Sequence, residues 1–179
     1  AIAPAVVGVM ANYFFSERFG LLYHLFNNLW GFNWYESVFD SYIYLIIAGS
    51  WKQISANFIF FLAGLQAIQR SVIEASMIDC KNSIRRFWTI TFPLLMPTTF
   101  FLIIINITYA FFDTFGIIDT TTIGAPSGET RTLVYKAYMD GFRGLDLGSA
   151  GAQSIMMMFI VLFITIFQFR YIEGRIHYN

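Results

Sequence analysis

The chain has 179 residues, of which 57% are hydrophobic, 20% aromatic and only 12% charged. A soluble domain carries about 25% charged residues, and the mean hydropathy of +0.60 also points to a bilayer as the main solvent. Eleven basic residues balance eleven acidic ones, so no electrostatic attraction favours nucleic acid, and the single cysteine, Cys80, excludes an internal disulfide.

The first apolar stretch, residues 2–15, is too short to cross a bilayer, which takes about 20 apolar residues. The sequence has no initiator methionine and no signal-peptide pattern. The stretch therefore reads as a partial helix, with upstream spans absent from the sequence. Residues 16–40 are rich in Trp, Tyr, Phe and Asn and read as an interfacial segment, because Trp and Tyr favour the headgroup level. Gaps in charge then mark three spans. From Ser41 to Gln69 the only charge is Lys52, and Phe87–Phe112 and Leu147–Phe169 carry none. The spans fall near 42–68, 94–112 and 149–169. Helices are expected, since a backbone in lipid must bond to itself and none of these runs alternates.

Orientation follows from lysine and arginine, which stay in the cytoplasm. Loop 70–93 carries Arg70, Lys81, Arg85 and Arg86, and the C-terminal tail adds Arg170 and Arg175. In residues 113–148, Arg131, Lys136 and Arg143 are outnumbered by acids. Loop 70–93 and the C-terminus are therefore expected inside, with 16–40 and 113–148 outside. Gly and Pro mark turns in the latter. The small residues Gly148–Ala152 open the last span and favour close helix approach.

Loop 70–93 is the most distinctive stretch. Ser71-Val72-Ile73-Glu74 fits a capping box, predicting a helix from Val72 to about Asp79. Asp79-Cys80-Lys81-Asn82 breaks it, and Asn82 or Ser83 can cap a second helix. There Ile84, Phe87, Trp88 and Thr91 form a largely apolar stripe at helical spacing. Pro93 and Pro97 mark the start of the next span. By periodicity alone, an amphipathic connector at the lipid headgroups fits equally well.

The same loop resembles the EAA loop of ABC-importer permeases: E-A-A, three residues, Gly, nine residues, then I-x-L-P. Here Glu74-Ala75-Ser76 leads after three residues to Cys80, and nine residues later to Ile90-Thr91-Phe92-Pro93. Ser76, Cys80 and Phe92 depart from the pattern, and Cys80 in the glycine's place predicts an altered bend. The resemblance implies a coupling helix seated in an ATPase subunit, with Glu74, Ala75, Ser76, Asp79, Cys80, Ile90 and Pro93 as coupling positions. It also implies that Ile84, Phe87 and Trp88 anchor the loop to its own membrane domain. The stretches 51–58 and 63–68 are similar to the carbohydrate-type branch, and Thr122-Ile123-Gly124-Ala125-Pro126 to its T-x-G-G-P turn. WKQISANFIFF, AFFDTFGIID, GFRGLDL, AQS and QFRYIE resemble the part of that branch that imports sn-glycerol 3-phosphate.

What the resemblance implies is an all-α membrane protein, a polytopic transmembrane helix bundle of the ABC type I importer permease kind. The implied setting is multi-pass, in a bacterial inner membrane. Its partners would be a second permease subunit, two ATPase subunits and a periplasmic substrate-binding protein. The cargo would be sn-glycerol 3-phosphate, or another sugar or polyol.

Polar groups inside the spans suggest the path. A lysine at the bilayer centre costs about 2.5–3.5 kcal/mol, so Lys52 should face water, a helix partner or a phosphate. Gly49, Gln53, Asn57 and Gly64 lie near one helix face, and Asn106, Tyr109 and Asp113 on another. Lys52, Gln53, Asn57, Asn106 and Tyr109 are the candidate path residues, with interhelical hydrogen bonding the alternative. Asp113 is expected near the outer surface, solvated. The sequence holds no G-x-x-x-x-G-K-[ST], H-E-x-x-H or C-x-x-C motif, and His24 and His177 are isolated. No metal or cofactor is expected, and energy is expected from a separate ATPase. A gradient-driven carrier would need buried carboxylates as a coupling site.

Overall fold

The computed structural model describes residues 3–172, without the side chains of residues 79, 171 and 172. Arg175 and His177 lie outside the described residues. The all-α expectation holds, with no strand among the described residues. The chain opens with α1, Pro4–Phe14, whose proline sits in the first turn, where its missing N–H costs nothing. Next comes α2, Leu21–Trp30, which ends at Gly31 with φ 70°, a left-handed position that glycine takes at least cost.

Residues 16–40, expected at the membrane interface, contribute to the buried core. Phe32, Trp34 and Tyr23 are buried against Phe15 and Tyr44. The Phe15 and Trp34 rings each stand 4.8 Å from that of Tyr44. Buried Trp and Tyr need partners for their polar tips. Trp34 Nε1–H donates to the Phe15 carbonyl at 3.1 Å, and the Tyr44 hydroxyl donates to Asn12 Oδ1 at 2.8 Å. Asn12 in turn donates to the Thr120 carbonyl.

The first long span is α3, Val38–Ala67, capped by Ser37, whose side chain accepts from the Asp40 N–H. Ile68 and Gln69 are extended, and α4, Arg70–Asp79, restarts at once. The expected capping box does not form. Because the turn ends at Gln69, which takes the N-cap position, Arg70 is already helical and Ser71 lies inside the first turn, two places too late to cap. After the break, Asn82 caps α5, Ser83–Arg86, accepting from the Ile84 and Arg85 N–H groups. A π-helical turn follows, Phe87–Thr91, then the short α6, Phe92–Leu94, and α7, Met96–Phe112. The π turn has an identifiable cause. Pro93 has no N–H to give Thr89, and its ring crowds that carbonyl. The ladder widens so that Phe92 N–H reaches the Phe87 carbonyl. Between Pro93 and Pro97 the chain bends by 68°, a kink of the kind proline imposes.

Beyond α7 come α8, Phe115–Thr120, a run of turns over 121–130, and α9, Leu133–Tyr138. A second π turn, Met139–Arg143, leads to α10, Leu147–Ile172. Burial first, and then the Asp119 carboxylate beside it, push the Tyr135 phenol above its ordinary value, so it stays a neutral donor to Asp119. The small residues opening α10 do allow close approach: a Cβ on Gly141 would stand 3.0 Å from that of Ala150.

Among the described residues two helices, Val38–Ala67 and Leu147–Arg170, are long and apolar enough to cross a membrane, and a third span results if the bent pair 83–94 and 96–112 is one. The bend explains why 94–112 read as a single run: its break is made by prolines without any charge. At the α3–α7 contact a Cβ on Gly64 would lie 2.7 Å from Thr98 Oγ1 and 3.2 Å from Leu95 Cδ2. Gly64→Val should therefore lower stability by about 1–3 kcal/mol through overpacking. Gly151→Ala, where no atom lies within 4 Å, should not. Thermal unfolding of the purified protein in detergent distinguishes the two.

Candidate functional site

The polar residues of α3 and α7 meet. Gln53 Nε2 donates to Asn106 Oδ1 at 3.1 Å, and Asn57 Nδ2 donates to the same oxygen at 3.4 Å. Asn106 Nδ2 returns a bond to Asn57 Oδ1 at 2.9 Å. Two asparagines facing each other this way satisfy both amides, which apolar surroundings otherwise make costly to bury. Lys52 forms an ion pair with Asp113, and its Nζ stands 5.0 Å from the Tyr109 ring centroid, within cation–π range. Lys52 is therefore a helix-pairing lysine in this structure.

All five candidate path residues line one cavity of about 520 Å³ between α3 and α7. Asp113 and Thr132 share its wall. Asp113 corrects an expectation: it is not simply solvated but is the counter-ion of Lys52. The signal was present, since Asp113 continues the Asn106–Tyr109 stripe. Solvation was expected from its place at the outer end of the span; the structure puts it at the C-cap of α7, where a carboxylate is disfavoured unless a cation compensates. Thr132 gave no signal, because it arrives from the start of α9. Its buried Oγ1 has no hydrogen-bond partner among the described residues.

The loop residues form a second grouping. Ser71, Val72, Ala75 and Ser76 of α4 face Ile90 across a hollow of about 350 Å³. Ser76 is buried, and its hydroxyl donates to the Ile73 carbonyl at 2.6 Å, so a hydroxyl fits where the E-A-A pattern has a methyl. Glu74 is exposed, and Ile78 is 84% exposed. Cys80 caps α4 with φ −137° and ψ 100°. That backbone is open to any L residue, so no glycine is needed in this chain. Asp79 ends α4, but its side chain lies outside the described residues. Pro93 is exposed in the first turn of α6.

Ile84, Phe87 and Trp88 do not anchor the loop to the rest of this chain. They are 73%, 41% and 60% exposed. Phe87 and Trp88 pack on each other and on Phe92. The π turn changes the helical period at Phe87, so the predicted stripe is not continuous.

A bundle of apolar helices with a charged, bent loop and a cavity whose largely apolar wall carries a stripe of polar side chains is the architecture of a membrane permease. Residues 1–178 match the model of the binding-protein-dependent transport system inner membrane component family, and the chain belongs to that family. It is 52% identical, over its whole length, to the sn-glycerol-3-phosphate transport system permease protein UgpA of Rhizobium meliloti. The identity is 51% to the protein of that name from Agrobacterium fabrum and 47% to that from Escherichia coli O6:K15:H31. The chain spans 61% of the length of each of these relatives.

If the reciprocal amide pair is a true interaction, Asn57→Ala and Asn106→Ala should be non-additive. A double-mutant cycle on unfolding in detergent should give a coupling of about 0.6–1.7 kcal/mol, the range for interhelical hydrogen bonds in membranes. A coupling of zero would make the contact incidental.

Proposed function

We propose that this chain forms the translocation-path part of a permease subunit in an ATP-driven importer of sn-glycerol 3-phosphate. It would sit in a bacterial inner membrane as a multi-pass subunit. Its partners would be a second permease, two ATPase subunits and a periplasmic substrate-binding protein. The observation that carries the assignment is about 50% identity along the entire chain to permeases named for that cargo. The cavity supports it, with one cation, its counter-ion and three amides on its wall.

The chain order suggests how work reaches the cavity. Loop 70–93 protrudes with Glu74 and Ile78 exposed and would dock on an ATPase subunit on the cytoplasmic side. From there α5, the π turn and α6 run into the 68° bend and then α7, which carries Asn106, Tyr109 and Asp113. Displacement of the loop as the ATPase pair closes would swing α7 against α3. The seam between them would open alternately to the two sides, a rigid-body switch. ATP hydrolysis belongs to the separate subunit.

A second reading has its own support. Lys52 and Asp113 neutralise each other, which suits an uncharged sugar or polyol as cargo. Competition in uptake assays with the complete set of subunits separates the two: sn-glycerol 3-phosphate should outcompete neutral polyols. Glu74→Arg should reduce uptake about tenfold or more while leaving the protein in the membrane, as expected when a partly desolvated charge pair is inverted. Unchanged uptake would refute docking through Glu74.

A further inference from the structure

We propose that Lys52 is the anion contact of the cavity and Asp113 its placeholder. On loading, the ammonium group leaves Asp113 for the phosphate of the cargo, and it returns when the cargo departs. This deepens the proposed function and rests on its substrate class.

Lys52 and Asp113 are the only charged residues among those lining the cavity. Their exposures differ in a useful way. The Lys52 side chain is 11% exposed and that of Asp113 is 35% exposed. A buried ammonium must always have a partner, whereas a carboxylate one-third open can be rehydrated when its partner leaves. Asp113 sits at the helix end least favourable to its own charge. It closes α7 at the negative end of the helix dipole, with its backbone N–H bonded to the Tyr109 carbonyl. The helix end adds its own negative field to that of the carboxylate, so Lys52 is held firmly in the empty cavity, and only a more highly charged anion can draw it away.

The incoming group is the stronger partner. A phosphate monoester carries about −1.5 to −2 charges at neutral pH and three acceptor oxygens, against one charge on the carboxylate. Of the other donors on the wall, the Tyr42 and Thr114 hydroxyls bond to the Glu129 and Ala110 carbonyls. Gln53, Asn57 and Asn106 are occupied with one another. Thr132 alone offers a buried hydroxyl with no partner among the described residues. A phosphate held by Lys52 or a polyol hydroxyl beside it would meet that need. The cavity is thus neutral when empty, and on loading Lys52 keeps a partner while Asp113, the more open of the two, turns to water.

The test uses the full-length permease assembled with its partner subunits in liposomes, with uptake of radiolabelled sn-glycerol 3-phosphate as the readout. Asp113→Asn keeps the cation, and the double variant Lys52→Met/Asp113→Asn removes both charges. Exchange predicts that both variants assemble, that Asp113→Asn imports more slowly than wild type because the empty cavity then holds an unpaired ammonium, and that the double variant is slower still, about tenfold or more below wild type, the worth of one charge-assisted contact. A merely structural ion pair predicts the opposite order, because the single variant leaves an uncompensated buried charge and the double does not. Uptake by the double variant at the wild-type rate, its failure to assemble, or Asp113→Asn falling below it overturns the exchange. If the wild-type complex itself takes up no sn-glycerol 3-phosphate, the substrate assignment falls and the exchange with it. Wild-type uptake with an unaffected double variant sinks the exchange alone.

Discussion

Polar side chains on apolar helices have few places to go, and in this protein they go to each other across the α3–α7 seam. Lys52 meets Asp113, Asn57 meets Asn106, and Gly64 lets Thr98 close in farther along. The three contacts fix register at three levels. In a membrane, apolar packing gives little preference for one helix partner over another, so small residues and hydrogen bonds decide which faces meet. Each polar stripe finds on the other helix the company that neither lipid nor Phe and Ile can give.

The rest of the chain holds this seam at both ends. At the N-terminal end of α3, the aromatic cluster around Phe15, Phe32, Trp34 and Tyr44 joins α1 and α3. Asn12 links it to α8, just beyond Asp113. The Tyr42 hydroxyl adds a bond to the Glu129 carbonyl at 2.7 Å, tying the turns over 121–130 to α3. At the other end of α7, two prolines make a bend and a π turn that separate the loop from the span. The resulting shape is a lever: loop, bend, polar helix, cavity wall. Each part follows from a local rule about which backbone groups can still find partners.

Much of this was legible because composition is a strong signal in membranes. The charge gaps located α3 and α10, and periodic polar residues located the seam, since a Gln, an Asn or a Lys inside a span must face something. The break at Cys80 and the cap at Asn82 were readable from the turn chemistry of Asp79–Asn82. Other features depended on contacts that sequence spacing does not encode. The burial of Phe32 and Trp34 comes from a loop folding back after Gly31, and nothing local separates such rings from interfacial ones. The start of α4 at Arg70 depends on how α3 ends, which moved Ser71 out of the cap. The partner of Lys52 lies 61 positions away. Thr132 reaches the cavity only because α9 is carried there by the intervening turns.

The central claim is that the α3–α7 seam is a water-accessible path and not a dry helix contact. Cysteine accessibility tests it most directly. In a Cys80→Ser background, single cysteines at Gly49 and Gln53, which line the cavity, are compared with one at Ile59, an exposed apolar position on α3 outside it. A small hydrophilic thiol reagent applied to the assembled transporter should label the first two quickly, label Ile59→Cys slowly, and be slowed at the first two by bound cargo. Equally slow labelling at all three positions would contradict a path along this seam.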